Sequence, residues 1–366
     1  MNTVFEVLRA HDLRTAWSDK HAAYDILQGP SGHGSQDLFT PEINSQADGL
    51  AAGQDWTKDN AKTQQYDDDK VRAVLNEIDG RDHSGTRQVG TPALYGMNFQ
   101  SVSTAEKLPT SGGQPGGYNA DGTPGPVLSS ALNFVDRELG AMLAELGRTH
   151  QLGTTTIIVS AKHGQSPVEP GALTRIPDGP ILDGLNASWA STHPGAPDLV
   201  AQTTNDDAMI MWLSNRSPAA AGFAKAYLLG HEGTGNDITG NPKPYTASGL
   251  TTVYAGRDAA AYFGTRLDDP RVPDIYALAQ HGVVFTGKKS KIAEHGGADP
   301  QDRDVPLVVA GAGTHHSSSS TTVETTQIAP TILRLLGLDP DELQAVHAEG
   351  TPALPLDVHG VDTKRS

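Results

Sequence analysis

The sequence predicts an α/β fold, with a central, mainly parallel sheet flanked by helices and an inserted region capping one sheet edge. Three observations carry this. First, residues 154–160 read TTTIIVS, an uncharged, β-branched run. That is the pattern of a strand buried on both faces in a parallel sheet. Second, the clearest helix, Pro126–Arg148, runs straight into it as an αβ unit; Leu128, Leu132, Val135, Leu139, Met142, Leu143 and Leu146 form one apolar stripe. Third, a shorter apolar run, DVPLVVA at 304–310, again reads as a short strand.

The remaining elements follow in order. The chain enters an amphipathic helix directly, with Val4, Phe5, Val7 and Leu8 as its apolar face, and shows no signal peptide. Asp12 ends it, and 13–17 is a short strand. Residues 25–53 are rich in Gly, Pro, Ser and Asp and read as a long irregular loop. The GPSG within it lacks the spacing of a nucleophile elbow. Residues 68–78 are helical in period and 91–99 read as a strand. Residues 106–122 form another Gly/Pro loop. From 171 to 290 the character changes to short strands (208–213, 250–254) around a helix at 218–229, the inserted cap. Asp206 and Asp207 precede a strand and read as turn residues. Thr325 caps a helix to Leu336 that Gly337 stops, and the tail after Pro340 reads as weakly structured. The expected division is a discontinuous core of 1–170 and 291–345, the cap 171–290, and a tail 346–366.

Composition limits the function classes. The 366 residues carry 43 acidic and 27 basic side chains, a net charge of −16. That argues against nucleic acid as a partner, because a phosphate backbone calls for a basic face. There is no cysteine, so thiolate metal sites, disulfides and thiol nucleophiles are excluded. Any metal must be held by His, Asp, Glu, Asn or hydroxyl groups. No apolar run approaches the roughly 18 residues of a membrane helix.

Chemistry-bearing residues collect where strands end. Lys162-His163-Gly164 closes the 154–160 run, at the carboxyl end where open α/β sheets place ligands. Gly164 permits a sharp turn there. His295-Gly296-Gly297 lies just before the 304–310 run. Two imidazoles placed this way could share a metal or a phosphate; a solvated basic turn is the other reading of Lys162-His163-Gly164. Asp19, Lys20 and His21 follow the first strand and could line a site or form a polar turn. His315 and His316 read as a solvated loop. GVVFTGKKS at 282–290 nearly fits a phosphate-binding loop, but Lys289 stands where Ser or Thr is needed and Val283-Val-Phe285 reads as a strand.

The ordered set IIVSAKHGQSP, EHGGADPQDRDVPLVVAGAG and VETTQIAPTILRLLGL resembles the carboxyl half of the type I phosphodiesterase/nucleotide pyrophosphatase family, within the alkaline phosphatase superfamily. The resemblance implies an alkaline-phosphatase-like fold, a phosphoester or nucleotide-like substrate and a pair of zinc ions that hold attacking and leaving oxygens. It implies that His163 and His295 are metal ligands, one to each zinc. The Asp that precedes the first of these in the family is Lys162 here, which could replace a lost metal charge and bind a phosphate oxygen. The family's Asp-x-x-x-His falls near Asn98 and Val102, so neither ligand matches, though Asn98 could still line the site. The family's first-strand Asp and its attacking Ser or Thr match nothing and are expected upstream of Met1, in a longer, exported product. Three readings stay open: a divergent phosphoester hydrolase, a non-catalytic binder of anionic or phosphorylated ligands, and a shortened product without function.

Overall fold

The computed structural model describes residues 1–43, 55–287, 290–312, 314, 318 and 320–356. Lys288, Lys289, His315, His316, most of the second half of the 25–53 loop and the end of the tail lie outside the described residues. The chain divides into two compact units: residues 1–104, 130–162 and 306–366, and residues 105–129 and 163–305.

In the first unit the opening helix is Val4–Ala10. It starts at Thr3 because Thr3 and Glu6 form a reciprocal capping box. Val7 and Leu8 pack on Leu333, Leu343 and Val346. This burial orders the chain beyond Pro340, where a 3-10 turn, Pro340–Glu342, leads to a helix, Gln344–Glu349. The expected weak structure after Pro340 is therefore corrected: Leu343 and Val346 supply the apolar anchor.

Ala16–Ser18 pairs in parallel with Asp37–Phe39. Thr15 and Ser18 also bridge in parallel to Leu94 and Met97. The 25–53 loop thus contains a strand, preceded by a 3-10 helix, Ala22–Gln28. Thr156–Ser160 pairs antiparallel with Leu307–Gly311 and is half-buried at every position, not buried on both faces. Its partner strand leaves Val308 55% exposed, so one side of this pair meets solvent. The helix expected from 68 begins earlier, spanning Asn60–Ile78, with the Asp59 carboxylate accepting from the backbone of Ala61 and Lys62. Buried Asp67 and Lys70 interrupt its apolar stripe, which hid it. Val74, Ile78 and Leu146 form the core between this helix and Pro126–Arg148, joined by Tyr95, Met97 and Ile157.

The second unit carries two four-stranded sheets. One runs Leu250–Ala255, Ile275–Ala279, Ala208–Leu213, Val200–Asn205, all antiparallel. The helices Gly179–Thr192 and Pro218–Gly230 cover it, placing Ile181, Leu185, Trp189, Ala224 and Leu228 against Met209, Met211 and Ile275. The other orders Pro242–Tyr245, Gly233–Asn236, Thr174–Ile176 and Val283–Phe285, the last two parallel. Val283–Phe285 is thus a paired strand, unlike the free N–H cradle of a phosphate loop. Among the described residues no helix is long and apolar enough to cross a membrane.

Candidate functional site

The second unit brings the two His-Gly loops together. The His163 and His295 rings stack face to face, 4.0 Å between centroids and 9° from parallel. Backbone pairing sets this approach: Ser166 and Glu294 exchange N–H···O bonds of 2.9 Å, and Gly164 N donates to Asp302 O at 2.8 Å. Gly164 serves close approach here, since a Cβ on it would stand 2.0 Å from the Gln301 carbonyl oxygen. Gly164→Ala is expected to destabilise the chain by about 1–3 kcal/mol, read as a lower urea midpoint, because backbone must move.

Each ring is oriented through Nδ1. His163 Nδ1 lies 2.8 Å from Gly164 O, and a carbonyl only accepts, so this contact places the proton of the neutral ring on Nδ1. His295 Nδ1 is 2.9 Å from Lys107 Nζ and 2.8 Å from a Glu294 oxygen. Accepting from Lys107 puts the ring proton on Nε2; donating to Glu294 leaves Nε2 basic.

Glu294 is the electrostatic centre of this cluster, with its side chain 2% exposed. It pairs with Lys107 at 2.9 Å and with Lys291. Burial alone would raise its pKa, but the His295 bond and the two ammonium groups hold it well below the usual carboxylate range. A depressed folded pKa stabilises above the unfolded value of about 4.3 and is lost as pH falls below it. The stability difference between wild type and Glu294→Gln, measured by urea unfolding, is therefore expected to shrink as pH falls below about 4.3.

The other sequence candidates lie in the first unit: Asp19, His21 and Asn98 follow its parallel segments, and Lys162 follows the antiparallel strand Thr156–Ser160. Asp19 is 2% exposed. It accepts from Trp17 Nε1 at 3.2 Å and from Lys20 N at 2.9 Å. His21 Nδ1 stands 2.7 Å from Glu42. Asn98 Oδ1 accepts from Gln100 Nε2 at 2.5 Å, and Gln100 Oε1 accepts from Lys20 Nζ at 2.8 Å. Lys162 Nζ donates to the Tyr24 hydroxyl at 2.6 Å and lies 5.3 Å from that ring's centroid. Sequence reasoning missed Lys107, Lys291, Glu294, Glu42 and Gln100. Only Glu294, adjacent to His295, carried a readable signal.

The family model of type I phosphodiesterase / nucleotide pyrophosphatase matches residues 9–302. This chain belongs to that family. Its fold is similar to murine ectonucleotide pyrophosphatase / phosphodiesterase 5 (TM-score 0.57, 11% identity, 92% of this chain and 70% of that one). The human counterpart gives 0.54 and 12%, over 91% and 70%. Wild-type alkaline phosphatase PafA gives 0.52 and 15%, over 81% and 56%. A comparison with curated protein sequences finds no match. Family and fold together are those of phosphoester hydrolases.

Among the described residues the donor set does not fit the zinc pair that the resemblance implies. Zinc takes three or four protein ligands. Among the described residues no three His, Asp or Glu side chains group closely enough to hold a metal ion. The two rings are parallel, so their in-plane lone pairs do not share a single ion. The charges beside His295 Nδ1 are Lys107 and Glu294, already paired with each other.

Proposed function

We propose that this chain handles the phosphoryl group of a small phosphodiester or nucleotide-like ligand, with His163 and His295 as its contact residues. The supporting observation is the stacked pair: two loops far apart in sequence present imidazoles 4.0 Å apart. Each ring is oriented through a contact at Nδ1. An imidazole donates to or accepts from an anionic oxygen and transfers a proton. Lys107 holds the His295 ring and adds positive charge beside it. Nucleotide-like ligands suit the reading because an inactive variant of the murine relative is described in complex with AMP.

Two arms test the assignment. Hydrolysis of a chromogenic phosphodiester that His163→Ala or His295→Ala abolishes supports it, and an unchanged rate in both variants overturns it. The lack of a three-ligand group among the described residues favours a second reading, ligand binding without turnover. Ligand retention in excess chelator with no product formed selects that reading.

A further inference from the structure

We propose that Asp207 and Asp302, with the Ser166 hydroxyl, hold a hard divalent cation of the calcium type in the second unit. This site adjoins the imidazole loops through Asp302 and Ser166, and the proposal does not rest on the function proposed above. Asp207 and Asp302 are each 3% exposed or less. Among the described residues, Asp207 Oδ1 and both carboxylate oxygens of Asp302 are buried without a hydrogen-bond partner. Buried carboxylate oxygens are costly when left unpaired, so orphans in one place point to an ion or water between them.

The residues converge. Ser166 Oγ donates to Asp207 Oδ2 at 3.3 Å. A Cβ on Gly297 would stand 2.7 Å from both the Asp207 carbonyl oxygen and Asp302 Oδ2, so these oxygens crowd one point of the loop carrying His295. The surrounding field is negative. Burial, then Asp302 and Glu294, push Asp207 up to about 9. Lys107 and Lys291 pair with Glu294, and Lys291 also with Asp206. Among the described residues neither Asp207 nor Asp302 forms an ion pair with a basic side chain.

A proton shared between Asp207 and Asp302 would relieve charge and bond one Asp302 oxygen, but would leave the other Asp302 oxygen without a partner. A cation satisfies all three. The donors are all oxygen, a pair of carboxylates with a hydroxyl and a nearby carbonyl, and water completes such a shell for calcium, whereas zinc takes nitrogen and sulfur as well.

The test uses the full chain, stripped with chelator, dialysed and titrated with calcium chloride. Calcium content and Tm are the readouts. The expected result is about one calcium per chain and a Tm rise of roughly 4 °C or more at saturation. Both responses should vanish in Asp302→Asn and Asp207→Asn and survive in His295→Ala. No bound calcium with an unchanged Tm in the wild type overturns the proposal, whatever the variants do. So does calcium uptake by Asp302→Asn equal to wild type. An Asp207→Asn chain that melts higher than a calcium-insensitive wild type would show that a proton occupies the site instead.

Discussion

Asp67→Ala is expected to lower the unfolding free energy by about 3–5 kcal/mol. Asp67 and Lys70 form an ion pair of 3.0 Å with both side chains fully buried. The Asp67 carboxylate also accepts from Gln100 N and Ser101 N at 2.8 Å, and Lys70 donates to the Asn98 carbonyl. This pair therefore ties the helix Asn60–Ile78 to the start of the helix Ser101–Lys107. Removing Asp67 strands an ammonium in the core and frees two buried N–H donors. Changing both residues, as Asp67→Ala with Lys70→Met, should recover much of the loss because no unpaired charge remains. Urea midpoints of the single and double variants check this. A single variant as stable as wild type would contradict it.

The second large effect falls on activity. His163→Ala and His295→Ala are each expected to lower kcat/KM on a phosphodiester by about 100-fold or more, the usual scale of a positioned acid or base. The rings are stacked, so loss of one removes the packing surface of the other. The double variant should then fall little below either single one. Steady-state kinetics on the three variants decide it. Fully additive losses would show that the rings act independently.

Much of the fold was legible because its signals are local. The stripe of Pro126–Arg148 and the run ending in Lys162-His163-Gly164 each state their element within a short window. The strand Asp37–Phe39 was not legible, since it is three residues long and lies in a Gly-rich segment. The helix Asn60–Ile78 was legible only in part, because Asp67 and Lys70 break its stripe and satisfy each other only in three dimensions. The site followed the same rule. His163 and His295 were marked by the glycines beside them, and the structure stacks them. Lys107 carried no mark, because its role comes from reaching His295 across 188 positions of sequence. Asp207 read as a turn residue, and it does lie between two antiparallel strands. Its burial beside Asp302 depends on a pairing that no local pattern encodes.

One measurement bears most directly on the imidazole pair as the phosphoryl contact. AMP is titrated calorimetrically into the wild-type chain and into the His163→Ala/His295→Ala double variant, both in excess chelator. The account predicts binding to the wild type under these conditions and affinity at least about 10-fold weaker in the variant, the loss of roughly 1.4 kcal/mol. Equal affinity in the two chains would contradict it, as would binding that appears only when zinc is restored.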